Sequence, residues 1–127
     1  MKYDKSYLRK KYLSLRKKNY YRFINYKFDF NLVFKLIRQH FQKKKIVIAG
    51  YYPSYYEADT LDFLSSAAQK KFKIVLPIIK SSNKMNFMPW NFKDPLYVSK
   101  FGTLEPENLK IKIIPDLVMV PLVAFDK

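Results

Sequence analysis

The fold turns on KKKIVIAGYYP, residues 43–53. Ile46, Val47, Ile48 and Ala49 form a short, continuous apolar run rich in β-branched residues, which predicts a strand buried on both faces. Gly50 and the tyrosine-rich YYPSYYEADT, residues 51–60, break that run and mark a loop. Asp59 then suits a helix cap, and Leu61, Leu64, Ala67 and Ala68 fall on one stripe of the helix it would open. KFKIVLPII, residues 71–79, reads as a second buried strand. Strand, helix and strand in this order predict a parallel crossover, and hence an α/β domain.

Working outward, MNFMPW (residues 85–90) and DLVMVP (residues 116–121) supply a third and a fourth strand. Upstream, Asp29 can cap a helix whose apolar positions are Leu32, Phe34, Leu36, Ile37 and Phe41. Leu8, Tyr12 and Leu15 are spaced for an amphipathic helix over residues 2–19. The expectation is one α/β domain, residues 1–127, with a mainly parallel sheet flanked by helices. In such sheets ligands bind beyond the carboxyl ends of the strands. Four places qualify: Tyr51 to Glu57, Pro77 to Lys80, Met85 to Trp90, and Pro121 to Asp126.

Composition narrows the chemistry. With no cysteine and His40 as the single histidine, no His/Cys metal cluster can form. The longest apolar runs fall short of a membrane span, and the basic N-terminus lacks the apolar stretch of an export signal, so a cytoplasmic location is expected. The net charge of +15 is uneven, because residues 1–45 hold 15 Lys/Arg against Asp4 and Asp29. Clustered cations suit a nucleic-acid-binding segment within residues 2–45, with Lys5, Arg9, Arg16 and Lys17 on phosphates. A compositional bias toward lysine, which outnumbers arginine 21 to 4, explains the same charge on solvated faces.

Individual motifs stay open when taken alone. In YYPSYYEADT, Tyr51 and Tyr52 suit a flat ligand and Glu57 could accept hydrogen bonds from ring nitrogens; equally, the tyrosines pack the loop and the acids favour the next helix's amino end. Lys5 and Arg9 stand four apart on one helical face, a spacing fit for a polyphosphate or for a solvated basic stripe. FGTLEPE, residues 101–107, reads as a turn. Gly50 and Gly102 are the chain's two glycines, so no glycine-rich phosphate loop is present.

Taken in order, Lys5-x-x-Leu8-Arg9, YYPSYYEADT, KFKIVLPII, MNF, FGTLEPE and the closing DLVMVPLVAFD resemble 5-formyltetrahydrofolate cyclo-ligase, also called 5,10-methenyltetrahydrofolate synthetase. The resemblance implies a doubly wound domain that closes the formyl group of 5-formyltetrahydrofolate onto the neighbouring nitrogen, with ATP and Mg2+. It implies phosphorylation of the formyl oxygen, so that phosphate leaves when the second nitrogen attacks. By motif position it implies that Lys5 and Arg9 contact ATP phosphates, that Tyr52 and Glu57 contact folate, and that Met85 and Phe87 wall the pocket. In that family a glycine-rich segment follows the Pro-x-x-Ala-Phe-Asp ending and supplies much of the nucleotide site. The resemblance therefore implies a C-terminally truncated domain, inactive by itself, with an open sheet edge.

Overall fold

A computed structural model describes residues 4–43 and 45–125. Its elements are α1 (Lys5–Phe23), α2 (Asn31–His40), β1 (Val47–Ala49), α3 (Leu61–Gln69), β2 (Lys73–Ser81), β3 (Lys84–Pro89), β4 (Tyr97–Val98), β5 (Leu104–Glu105) and β6 (Leu117–Val118). A four-stranded sheet runs β3-β2-β1-β6, and β4 pairs with β5 separately. β1 is parallel to both β2 and β6, whereas β3 folds back antiparallel on β2. The expected mainly parallel sheet with flanking helices is present.

The pairing register places Ile48, Ile74 and Leu117 in one row across the sheet. Ile46, Ile48, Ile74 and Leu76 join Phe34 and Ile37 of α2 and Phe63, Leu64 and Ala67 of α3 in one buried cluster. Stacked rings bind the helices to each other, with Phe34 and Phe63 centroids 5.2 Å apart. Both helices start one residue later than aspartate caps would place them: Phe30 and Thr60 hold the cap positions without a side-chain cap bond, and each aspartate stands just before. Asn31 N donates to Asp29 Oδ1 and Leu61 N to Asp59 Oδ1, each at 2.9 Å, so two aspartates take up otherwise orphaned amides.

Two expectations need correcting. The N-terminal helix forms over Lys5–Phe23, with Asp4 as its cap, but none of its residues is buried. Leu8 is half-buried while Tyr12 and Leu15 are exposed, so the presumed apolar face covers no core. FGTLEPE is more than a turn. Gly102, at φ +76°, lets the chain reverse between β4 and β5, which carries Glu105 onto β2. Alternate β2 residues bond toward β1, and β1 ends at Ala49, level with Val75. The Ile79 amide therefore points past the end of β1, where Glu105 Oε1 accepts it at 2.9 Å.

Candidate functional site

The carboxyl end of β1 delivers the chain straight into Tyr51 to Glu57. Gly50 N still donates to Val75 O at 3.0 Å, so the loop springs from a fixed point of the sheet. Tyr51 Oη reaches across the loop to Ala58 O at 2.9 Å. Burial, reinforced by the Glu57 carboxylate, pushes the Tyr51 hydroxyl above its ordinary pKa, which keeps it a protonated donor. Glu57 closes a tight turn: its Oε2 accepts Ser54 N at 2.9 Å, and its own amide donates to Ser54 O at 3.0 Å. The other oxygen, Oε1, makes no hydrogen bond with the described residues.

The turn is conformationally costly. Tyr55 at φ 48° and Tyr56 at φ 62° are consecutive left-handed residues, and neither is a glycine. Each such residue costs roughly 1–2 kcal/mol and persists where surrounding contacts impose it. Those contacts come from α1. Arg16 Nη2 donates to Tyr55 O at 2.8 Å, the Tyr20 ring meets the Tyr56 ring edge-on at 5.3 Å, and Lys17 Nζ lies 5.7 Å from the Tyr56 centroid. Between helix and loop lies a shallow depression of about 410 Å3, lined by Tyr20, Pro53, Ser54, Tyr55, Tyr56 and Glu57.

Of the residues singled out from sequence, Glu57 lines this depression. Tyr52 borders it along the chain, with its ring edge-on to Trp90 at 6.4 Å. Met85 and Phe87 stand on β3, opposite Ile79 and Pro77, and are not among its walls. Lys5 and Arg9 are exposed on α1. Arg9 and Arg16 are seven apart, about two helical turns, so Lys5, Arg9, Arg16 and Tyr20 follow one stripe. The helix thus extends its two N-terminal cations away from the loop along the side that touches it. Asp126 lies outside the described residues. Sequence reasoning missed Arg16 in this setting, treating it as one basic residue among many, and missed Tyr20 altogether.

A cofactor-holding role can be tested on these side chains. Among the described residues no group of three His, Cys, Asp or Glu side chains could hold a metal ion, so Mg2+ has no set of protein ligands there. The exposed Lys5 and Arg9 suit a polyphosphate electrostatically. No described helix is long and apolar enough to cross a membrane.

The sequence model of the 5-formyltetrahydrofolate cyclo-ligase family matches residues 1–127. Among solved structures the chain is similar to the NMR structure of Aquifex aeolicus 5,10-methenyltetrahydrofolate synthetase, at 25% identity and a TM-score of 0.59. That similarity covers 95% of this chain and 62% of the solved one, so this chain spans less than two thirds of the relative's length. No protein of curated function matches. Neither match supports the rival reading of residues 2–45 as a nucleic-acid-binding segment.

Proposed function

Because the chain belongs to the 5-formyltetrahydrofolate cyclo-ligase family, we propose that it serves the ATP-dependent conversion of 5-formyltetrahydrofolate to 5,10-methenyltetrahydrofolate in the cytoplasm. The family match over residues 1–127 carries this reading. Glu57 Oε1, which makes no hydrogen bond among the described residues, on the wall of a depression lined by tyrosines, is consistent with it.

In this reading Glu57 keeps one oxygen on its own turn and offers the other to ring N–H groups of the pterin. Tyr52 lies against the flat ring, whereas Met85 and Phe87, on β3 and outside the walls of the depression, would reach only a part of the ligand that extends beyond it. Lys5 and Arg9 would neutralise the ATP phosphates, and the described residues offer no carboxylate cluster that would hold Mg2+. ATP, when bound, supplies the phosphoryl group that turns the formyl oxygen into a leaving group. The protein's contribution is then positioning and charge neutralisation, on which phosphoryl transfer chiefly depends.

Titration of the 127-residue chain with 5-formyltetrahydrofolate, followed by NMR, tests the site. The signals of Tyr52 and Glu57 are expected to shift without nucleotide. Glu57→Gln is expected to weaken binding by about tenfold or more, since a hydrogen bond to a charged group contributes roughly 1.5–3 kcal/mol. Shifts confined to the lysines of α1 would sink the assignment. In a parallel assay with ATP and Mg2+, residues 1–127 alone are expected to give no methenyl-product absorbance. Two exposed cations do not reproduce a nest of backbone amides around a triphosphate. Turnover would show that the nucleotide site is complete within these residues.

A further inference from the structure

We propose that Arg16 is a positioning residue for the substrate loop, holding Tyr55 and Tyr56 in their left-handed conformation so that Glu57 lines the depression. The proposal extends the folate reading above and rests on it for the identity of the ligand. The clamp itself stands on geometry alone.

Three observations carry it. First, the loop needs an external restraint. Tyr55 is 76% exposed, so its own side chain packs too little to pay for a left-handed backbone. Second, α1 contributes no buried residue to the core, yet it contacts this loop through Arg16, Lys17 and Tyr20. A surface helix that packs on no core but grips one strained turn is placed to hold that turn. Third, the guanidinium is only partly used. Nη2 is bonded to Tyr55 O, while Nε is buried and has no partner among the described residues. That nitrogen is sealed from solvent and Arg16 is not among the walls of the depression, so the guanidinium is enclosed against the turn rather than turned toward a ligand.

The consequence is a division of labour along one helical stripe. Lys5 and Arg9 face solvent near the start of α1, and Arg16 and Tyr20 shape the loop two to four turns later. A guanidinium suits the task because its planar fork can hold a carbonyl in a fixed direction. Lysine offers no such fork.

The experiment compares the 127-residue chain with Arg16→Ala, with Tyr55→Asn and with the double variant Arg16→Ala/Tyr55→Asn. Asparagine tolerates the left-handed region better than tyrosine, so it relieves the need for the clamp. Two readouts are taken: the intraresidue amide-to-α-proton NOE of Tyr55 and Tyr56, which is strong when φ is positive, and affinity for 5-formyltetrahydrofolate. Arg16→Ala is expected to melt close to the parent, because α1 lies outside the core, but to lose the strong NOE at Tyr55. Its affinity is expected to fall by about tenfold, as one charge-assisted hydrogen bond is lost. The second substitution is expected to restore the NOE at position 55; because Tyr55 walls the depression, affinity is read against Tyr55→Asn alone, to which adding Arg16→Ala should cost much less than tenfold. An unchanged NOE in Arg16→Ala overturns the clamp, and so does a full tenfold loss of affinity when Arg16→Ala is added to Tyr55→Asn. If the parent binds no folate, the functional reading fails, and the NOE alone decides on Arg16.

Discussion

At Gly50 the chain leaves β1 for the loop with no room for a side chain. A Cβ there would lie 2.5 Å and 2.7 Å from the two terminal carbons of Leu64. Leu64 is fully buried within the core cluster, so it has little freedom to swing aside. Gly50→Ala is therefore expected to destabilise the fold by about 1–3 kcal/mol, the usual range for overpacking. In a Leu64→Ala background, where those carbons are gone, the same substitution should cost much less. Urea denaturation of the four proteins reads the difference, and simple additivity would refute the steric explanation. A glycine after a buried strand is visible in the sequence. Its reason is not, because the atom it must avoid belongs to a helix that only the crossover brings alongside. Tyr55 and Tyr56 show the same limit, since a left-handed pair would have been sought at glycine or asparagine.

Among the elements, those whose local pattern matched their burial were legible. The continuous apolar runs of β1 and β2, and α2 and α3 with an aspartate shortly before each that takes its first amide, follow from residues close in sequence. The α1 helix was legible as a helix but not as an unpacked one, because leucine spacing does not say whether a neighbour will cover it. The β4-β5 hairpin, which brings Glu105 to the orphaned Ile79 amide, carries two-residue strands too short for any periodicity. The smallest strand of the sheet, β6, is tethered electrostatically. Asp116 precedes it, accepts Val47 N at 2.8 Å and pairs with Lys43 Nζ at 2.6 Å. The lysine, then the Val47 amide, hold the Asp116 carboxyl below its ordinary value of 3.8. A carboxyl lowered on folding adds stability that is present above its unfolded pKa and lost as pH falls through the lowered folded one. Asp116→Ala is expected to cost about 1–3 kcal/mol at neutral pH, the penalty for a backbone donor losing a charged partner. The difference from the parent should shrink below pH 4, approximately the unfolded carboxyl range. Urea midpoints that differ by a constant amount across that range would exclude the tether.

For the whole molecule, the sequence conveys the architecture better than the site. A charge of +15, concentrated toward the N-terminus, suggests a nucleic-acid partner when read as a total. In the fold the charge divides into roles: Lys43 holds β6, Arg16 holds the loop, and Lys5 and Arg9 remain open to solvent. Opposite ends of the apolar inventory are also separated. Ile48, Leu64 and Val75 are sealed, while Ile114, Val120, Leu122 and Phe125, around and beyond β6, are between 61% and 86% exposed. Local periodicity reports the sealed set faithfully. The exposed set has the same residue types, and only the arrangement of strands distinguishes them.

The three-residue β1 has a consequence for the order in which the molecule opens. Its partner on one side, β2, follows it across a single helix, whereas Asp116 meets Val47 across a separation of 69 residues. Closing the longer stretch costs more chain entropy, roughly 0.6 kcal/mol for each doubling of length, and β6 offers only two residues in return. Partial opening should therefore release β6 while β1 stays zipped to β2. In native-state hydrogen exchange the amide of Met119, bonded to Ala49 O, is expected to exchange well before that of Gly50, bonded to Val75 O. Equal protection would mean that the sheet opens as one unit. With the expected order, the loop after Gly50 keeps its anchor through fluctuations that peel away the last strand.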